Sequence, residues 1–218
     1  MFIPLRDENP TRRIPYVTWL LIAANVVIFL LGAVSSQGLQ QNALRFGAVP
    51  YEITHFLSPD AAFGVPPLLT LLTSLFMHGS LLHLLGNMLY LWIFGNNVED
   101  ALGPFRFILF YVVCGLAAGL TQVAAAPGSR LPMIGASGAI AGVLGAYWLL
   151  SPGARVVTLV LVFIVRVPAV IVLGLWFVLQ LLSAGMGGGV AWFAHIGGFL
   201  AGVALIVAQA KMRTRRRA

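Results

Sequence analysis

The chain has 218 residues, of which 60% are apolar and only 9% charged, and its mean hydropathy is +0.95. A water-soluble domain of this length has too little interior to hide so much apolar surface, so the composition points to a polytopic membrane protein. The net charge of +7 does not argue for nucleic acid, because the cations gather at the two ends: Arg6, Arg12 and Arg13, then Lys211, Arg213, Arg215, Arg216 and Arg217. That distribution orients a membrane protein and attracts anionic lipid headgroups. The single cysteine, Cys114, lies inside an apolar run and excludes an internal disulfide or a cysteine-based metal site.

Residues 1–16 read as a short polar lead with Pro4, Pro10 and Pro15. Charges of both signs followed by a full-length apolar run do not fit a cleaved signal peptide. The first span is expected from Val17 to Val34. A long outer loop, 35–80, follows, with Arg45, Glu52, Asp60 and several prolines, and its run from Leu68 to Met77 is apolar but too short to cross. The second span is expected from Leu81 to Gly95, ended by Asn96-Asn97-Val98-Glu99-Asp100, with Glu99 and Asp100 capping its inner end. The third runs from Pro104 to about Ala126, and the fourth from Gly135 to Leu150, closed by Ser151-Pro152-Gly153.

Val156 to Val165 is apolar but about half of a crossing, and Arg166 interrupts it. A lone arginine at mid-bilayer costs at least ~2.5–3.5 kcal/mol, so this stretch is placed at the inner interface. The fifth span then begins near Val167, with Pro168 in its first turn, and ends by Ser183. Gly187-Gly188-Gly189 makes a pliable loop, and the sixth span runs from about Val190 to Ala210. The body of the protein is thus 17–210, with a basic tail over 211–218. Six spans put both termini on one side, and the positive-inside rule makes that side cytoplasmic, since only Arg45 and Arg130 lie opposite.

The second, fourth and sixth spans run in the same direction, and each carries polar residues near its outer end: His83 with Asn87, Ser137, and His195. From these to the inner polar boundary the counts are 14 residues (His83 to Asn97), 14 (Ser137 to Ser151) and 16 (His195 to Lys211). At about 1.5 Å per residue all three lie roughly 20–24 Å above the inner face, in the outer third of the hydrocarbon core. Gly138, Gly142 and Ala146 on the fourth span, and Ala194, Gly198 and Gly202 on the sixth, form small-residue faces that let two helices approach closely.

Close approach is what a serine–histidine hydrogen bond needs. In that arrangement His195 takes the Ser137 proton as general base, and Ser137 attacks an amide carbonyl. His83 and Asn87, one helical turn apart, can donate to the resulting oxyanion, helped by backbone N–H groups at the start of the Ser137 helix. No carboxylate lies at this depth to orient His195, so its orientation is left to packing. His78 reads as a structural residue at the outer-loop junction, and Asn25, Gln122 and Gln180 as interhelical hydrogen-bond partners. A zinc site built from His78, His83 and His195 lacks both a carboxylate ligand and the H-E-x-x-H spacing. A transporter would show internal repeats or mid-membrane charges, and neither is present.

The pattern His78-x4-His83-x3-Asn87, then Gly135-x-Ser137-Gly138, then Ala194-His195-x-x-Gly198 resembles the rhomboid family of intramembrane serine proteases. The resemblance covers nearly the whole chain. It implies an all-α membrane protein, a six-transmembrane-helix rhomboid-like bundle, in which Ser137 and His195 are catalytic and His83 and Asn87 stabilise the oxyanion. It further implies single-span membrane-protein substrates, a bacterial inner (plasma) membrane location with the site opening outward, and no cofactor or metal. Two departures stand out. Leu69-Thr70 replaces a Trp-Arg pair common in the family's first outer loop, and Ala141 stands where some members pack an aromatic ring on the histidine; Trp192 or Phe193 is expected to take over that packing. Inactive relatives that bind transmembrane segments without cutting them supply the alternative reading.

Overall fold

The computed structural model describes residues 2–56, 65–184, 186 and 189–215. Pro59 and Asp60 of the long loop, Gly187 and Gly188 of the glycine loop, and Arg216 and Arg217 of the tail lie outside these. The chain opens with strand β1 (Phe2–Asp7), followed by helices α1 (Tyr16–Val34), α2 (Gly38–Phe46), α3 (Pro50–His55) and α4 (Pro67–Thr73). After a 3-10 turn at Ser74–Phe76 come α5 (Leu81–Tyr90), a π-helical turn (Leu91–Gly95), α6 (Asn96–Leu102), α7 (Pro104–Ala125) and α8 (Ser137–Leu150). Strands β2 (Arg155–Val160) and β3 (Phe163–Pro168) lead into α9 (Ala169–Ser183) and α10 (Trp192–Arg215).

Among the described residues three helices are long and apolar enough to cross a bilayer: Tyr16–Val34, Pro104–Ala125 and the Trp192–Met212 part of α10. A fourth crossing is available if the pair Pro67–Phe76 and Leu81–Leu102, bent by 80°, acts as one unit, and Ser137–Leu150 and Ala169–Ser183 are shorter apolar helices. The surface is inside-out by the standard of a soluble protein. Leu20 and Leu31 of α1, Leu109 and Leu120 of α7, and Leu179 and Leu182 of α9 are all exposed. In contrast, α8 is buried on every side from Gly138 to Tyr147, with α7, α10, α9 and the π-helical turn around it. A helix that is apolar all round and rich in small residues suits such a central position, because it lets neighbours approach on every side.

Two features differ from the sequence reading. The polar run at 96–100 does not end the helix, which continues to Leu102. Glu99, only 2% exposed, does not cap its own helix but the start of α1. Its carboxylate accepts from Val17 N (3.0 Å), Thr18 N (2.7 Å) and Thr18 Oγ1 (2.7 Å), donors that a helix start leaves without internal partners. Three charge-assisted bonds are what lets a carboxylate sit in that interior.

The second difference is a small antiparallel sheet, ordered β1-β2-β3, built from the N-terminal lead and the stretch expected only to lie at an interface. Phe2 faces Val160 and Asp7 faces Val156, with a bulge between Pro4 and Arg6, while Arg155 pairs with Pro168 and Val160 with Phe163. Pro4 is tolerated because β1 is an edge strand. The sheet is tied to the helix ends: Asp7 Oδ2 accepts from Asn97 Nδ2 (2.7 Å) and from the Tyr147 hydroxyl (2.8 Å). Asn9 donates to Ser151 Oγ (3.0 Å), and Arg166 pairs with Glu8 at 2.8 Å, which gives the interrupting arginine a partner outside the helices.

Candidate active site

Backbone proximity creates the site. A Cβ placed on Gly198 would overlap the Gly138 carbonyl oxygen, and one on Gly202 would overlap that of Gly142, so α8 and α10 touch backbone to backbone. On the other flank Ala118 and Cys114 of α7 press on Gly138 and Gly142. This seam lets two short side chains meet: His195 Nε2 lies 2.8 Å from Ser137 Oγ. Ser137 is the first residue of α8, where backbone N–H groups point away from the helix without acceptors of their own.

The imidazole is held on its other side as well. His195 Nδ1 lies 2.8 Å from Oε1 of Gln180, a residue of α9 that is 7% exposed. Trp176, one turn earlier on α9, has its ring centroid 5.9 Å from that of His195, and Trp192 meets the imidazole edge-on at 6.1 Å. The first turn of α10 is fixed by Gln122 of α7, whose Oε1 accepts from Ala194 N (3.3 Å).

Opposite the serine, α5 contributes His83 and Asn87. Ser80 caps this helix by accepting from His83 N (3.2 Å), and Asn87 Nδ2 donates to the His83 carbonyl (3.1 Å), leaving its second N–H to face the cavity. Gly135, just before α8, has φ +118°, a conformation that disfavours any side chain. A Cβ there would stand 2.7 Å from His83 Nε2 and 3.6 Å from Asn87 Nδ2. Glycine thus lets the two α5 side chains close over the segment leading to Ser137. His78, 4% exposed, packs edge-on against His83 with ring centroids 5.0 Å apart.

Ser137, His195, His83, Asn87, Trp176 and Gln180 line one cavity of about 730 Å³. It holds a hydroxyl bonded to an imidazole, with amide and imidazole donors across from it, a set suited to acyl transfer. The structure therefore brings together all four site residues named from the sequence. Other assignments change. Asn25 Nδ2 bonds back to Leu21 O of its own helix (2.8 Å) rather than across helices. Of the two rings expected as alternatives, Trp192 packs on His195, and Trp176 of α9 adds a further one. Besides these rings His195 has a polar neighbour, the Gln180 amide on α9. Gln180, expected from the sequence as an interhelical hydrogen-bond partner, does bond across helices, and its partner is the His195 imidazole.

Residues 66–211 match the rhomboid domain. The chain is 30% identical to RHOMBOID-like protein 5 of Arabidopsis thaliana over 217 residues, covering 89% of this chain and 68% of that protein. It is 31% identical to the human presenilin-associated rhomboid-like protein, mitochondrial, over 188 residues, 84% of this chain and 45% of the relative. Rhomboid protease GluP of Bacillus subtilis is 32% identical over 133 residues, 61% of this chain and 24% of the relative. The chain thus spans less than half the length of the human and Bacillus proteins. With the domain match covering well over half of the sequence, and with apolar helices built for a bilayer, the chain belongs to the rhomboid family as a membrane-embedded member.

Proposed function

We propose that the protein is an intramembrane serine endopeptidase that hydrolyses peptide bonds in or near the transmembrane segments of single-span membrane proteins. The observation that carries this reading is the 2.8 Å contact between His195 Nε2 and Ser137 Oγ inside an apolar bundle. Ser137 Oγ attacks the carbonyl carbon of the scissile bond while its proton passes to His195 Nε2. The oxyanion is met by His83, Asn87 and backbone N–H groups at the start of α8, where one lost donor typically costs about 10²–10³ in kcat. The C–N bond then breaks as His195 returns the proton to the leaving amine. A water, deprotonated by the same imidazole, hydrolyses the acyl ester and restores the serine.

In the bilayer we read six crossings, made by α1, the α5–α6 unit, α7, α8, α9 and α10, with both termini and the sheet cytoplasmic and the cavity opening outward. Placement of most loop cations on the sheet side supports this orientation, and a bacterial plasma membrane fits it. The domain is read as 17–210, between the short N-terminal segment and the basic tail. Ser137→Ala and His195→Ala should each abolish cleavage of a reconstituted single-span substrate while leaving the unfolding midpoint near that of the parent. A fluorophosphonate should label the parent at Ser137. Cleavage retained in either variant refutes the reading, and substrate capture without cleavage by the unmodified protein would favour a non-catalytic binder instead.

A further inference from the structure

We infer that Gln180 is the positioning residue of the catalytic base: its side-chain carbonyl fixes which nitrogen of His195 carries the proton. The inference rests on the proposed Ser137–His195 chemistry and adds a third partner to it. Its argument is one of donors and acceptors. Gln180 Nε2 donates to the Trp176 carbonyl of its own helix at 3.2 Å, which settles the direction of the amide and turns Oε1 toward His195. An amide oxygen only accepts, so the Nδ1 that lies 2.8 Å from it must be the N–H nitrogen. Nε2 is then the bare nitrogen, and it is the one 2.8 Å from Ser137 Oγ. A neutral imidazole holds one proton, so seating it on Nδ1 is the condition for Nε2 to receive the serine's.

The same contact serves the charged stage. When Nε2 takes the serine proton, the imidazolium formed has its Nδ1–H already bonded to an amide dipole. Among the described residues no carboxylate reaches this place: Glu52 is on α3, and Asp7, Glu8, Glu99 and Asp100 lie at the sheet end of the bundle. A neutral amide is an acceptor that can be buried at 7% exposure without the desolvation cost of an unpaired carboxylate. Trp176 and Trp192 hold the plane of the ring, but neither contact distinguishes Nδ1 from Nε2. The Gln180 contact does so.

The test compares Gln180→Leu, which keeps most of the volume and removes the acceptor, with Gln180→Glu, which keeps an acceptor at the same reach. Both are assayed in reconstituted full-length protein for kcat and KM, and the His195 tautomer is read by 15N NMR of histidine-labelled protein. Gln180→Leu should lower kcat by about 10²-fold, the low end of what a correctly presented general base contributes, with KM changed less than about two-fold. Gln180→Glu should recover kcat to within about ten-fold of the parent. In the parent the spectrum should show His195 protonated at Nδ1 alone, and in Gln180→Leu a mixture of tautomers. Parental kcat in Gln180→Leu, an unchanged tautomer in that variant, or an Nε2–H tautomer in the parent would each overturn the inference. The parent spectrum needs neither a folded variant nor an active enzyme, so it separates a failure here from a failure of the protease reading.

Discussion

Adding one methyl group at Gly198 should disable the site from behind. The new Cβ would overlap the Gly138 carbonyl oxygen and stand 3.4 Å from the Ala118 Cβ, so the space cannot be found by turning a flexible side chain. Ordinary van der Waals separation is restored only if α8 and α10 part by on the order of 1 Å. Gly138 adjoins Ser137 and Gly198 lies one turn from His195, so the displacement falls on the dyad itself, which is 2.8 Å apart at the start. An added ångström takes that contact beyond hydrogen-bonding distance. A misplacement of this size costs about 10²-fold in rate, while overpacking lowers stability by only about 1–3 kcal/mol. Gly198→Ala should therefore fold, unfold at a somewhat lower temperature, and lose about 10²-fold in kcat/KM and in fluorophosphonate labelling. Gly174→Ala is the control, because its Cβ meets only Trp148 Nε1, at 3.8 Å. Parental activity in Gly198→Ala would show that the α8–α10 seam does not set the dyad distance.

Two further predictions concern the sheet end of the bundle. Glu99→Ala strands three donors at the start of α1 and should destabilise by roughly 3 kcal/mol or more, whereas Glu99→Gln keeps a carbonyl oxygen and should lose less than half as much; thermal unfolding of both variants checks the order. Burial raises the pKa of Asp7 above the ordinary carboxylate value, and the bonds from Tyr147 and Asn97 offset this only in part. A raised folded-state value means that the Asp7 contribution to stability is fullest below about pH 3.9 and is lost as pH rises through that higher value. The unfolding midpoint of the parent minus that of Asp7→Asn should accordingly fall as pH rises from 4 to 7, and a difference that grows over that range would contradict the assignment.

How much the sequence discloses depends on whether a residue's partner is local. Ser137, His195, His83 and Asn87 stand out because apolar helices contain few polar groups, and rise per residue converts their positions into depth. Gly198 and Gly202 announce a helix contact by spacing alone. Glu99 misleads for the opposite reason: four polar residues among five look like the end of a span, and only the fold shows that a helix start more than 80 residues earlier supplies the Glu99 carboxylate with donors. The sheet is hidden because β1 pairs with a strand over 150 residues away, and the Leu161-Val162 turn between β2 and β3 lacks the glycine or asparagine that marks a hairpin.

The distribution of roles over the helices follows from packing. The two groups proposed to exchange the proton sit on α8 and α10, where backbone carbonyls meet glycine Cα atoms across the seam. The groups proposed to assist come from the flanks: His83 and Asn87 from α5, Gln180 from α9, both helices with one face of exposed leucines such as Leu82, Leu85, Leu179 and Leu182. The cavity is lined from both sides by these flanking helices, with Leu82 and Gly86 of α5 facing Trp176 and Gln180 of α9. On the proposed protease reading, a polypeptide approaching Ser137 from the lipid enters between α5 and α9, because parting α8 from α10 would pull Ser137 away from His195.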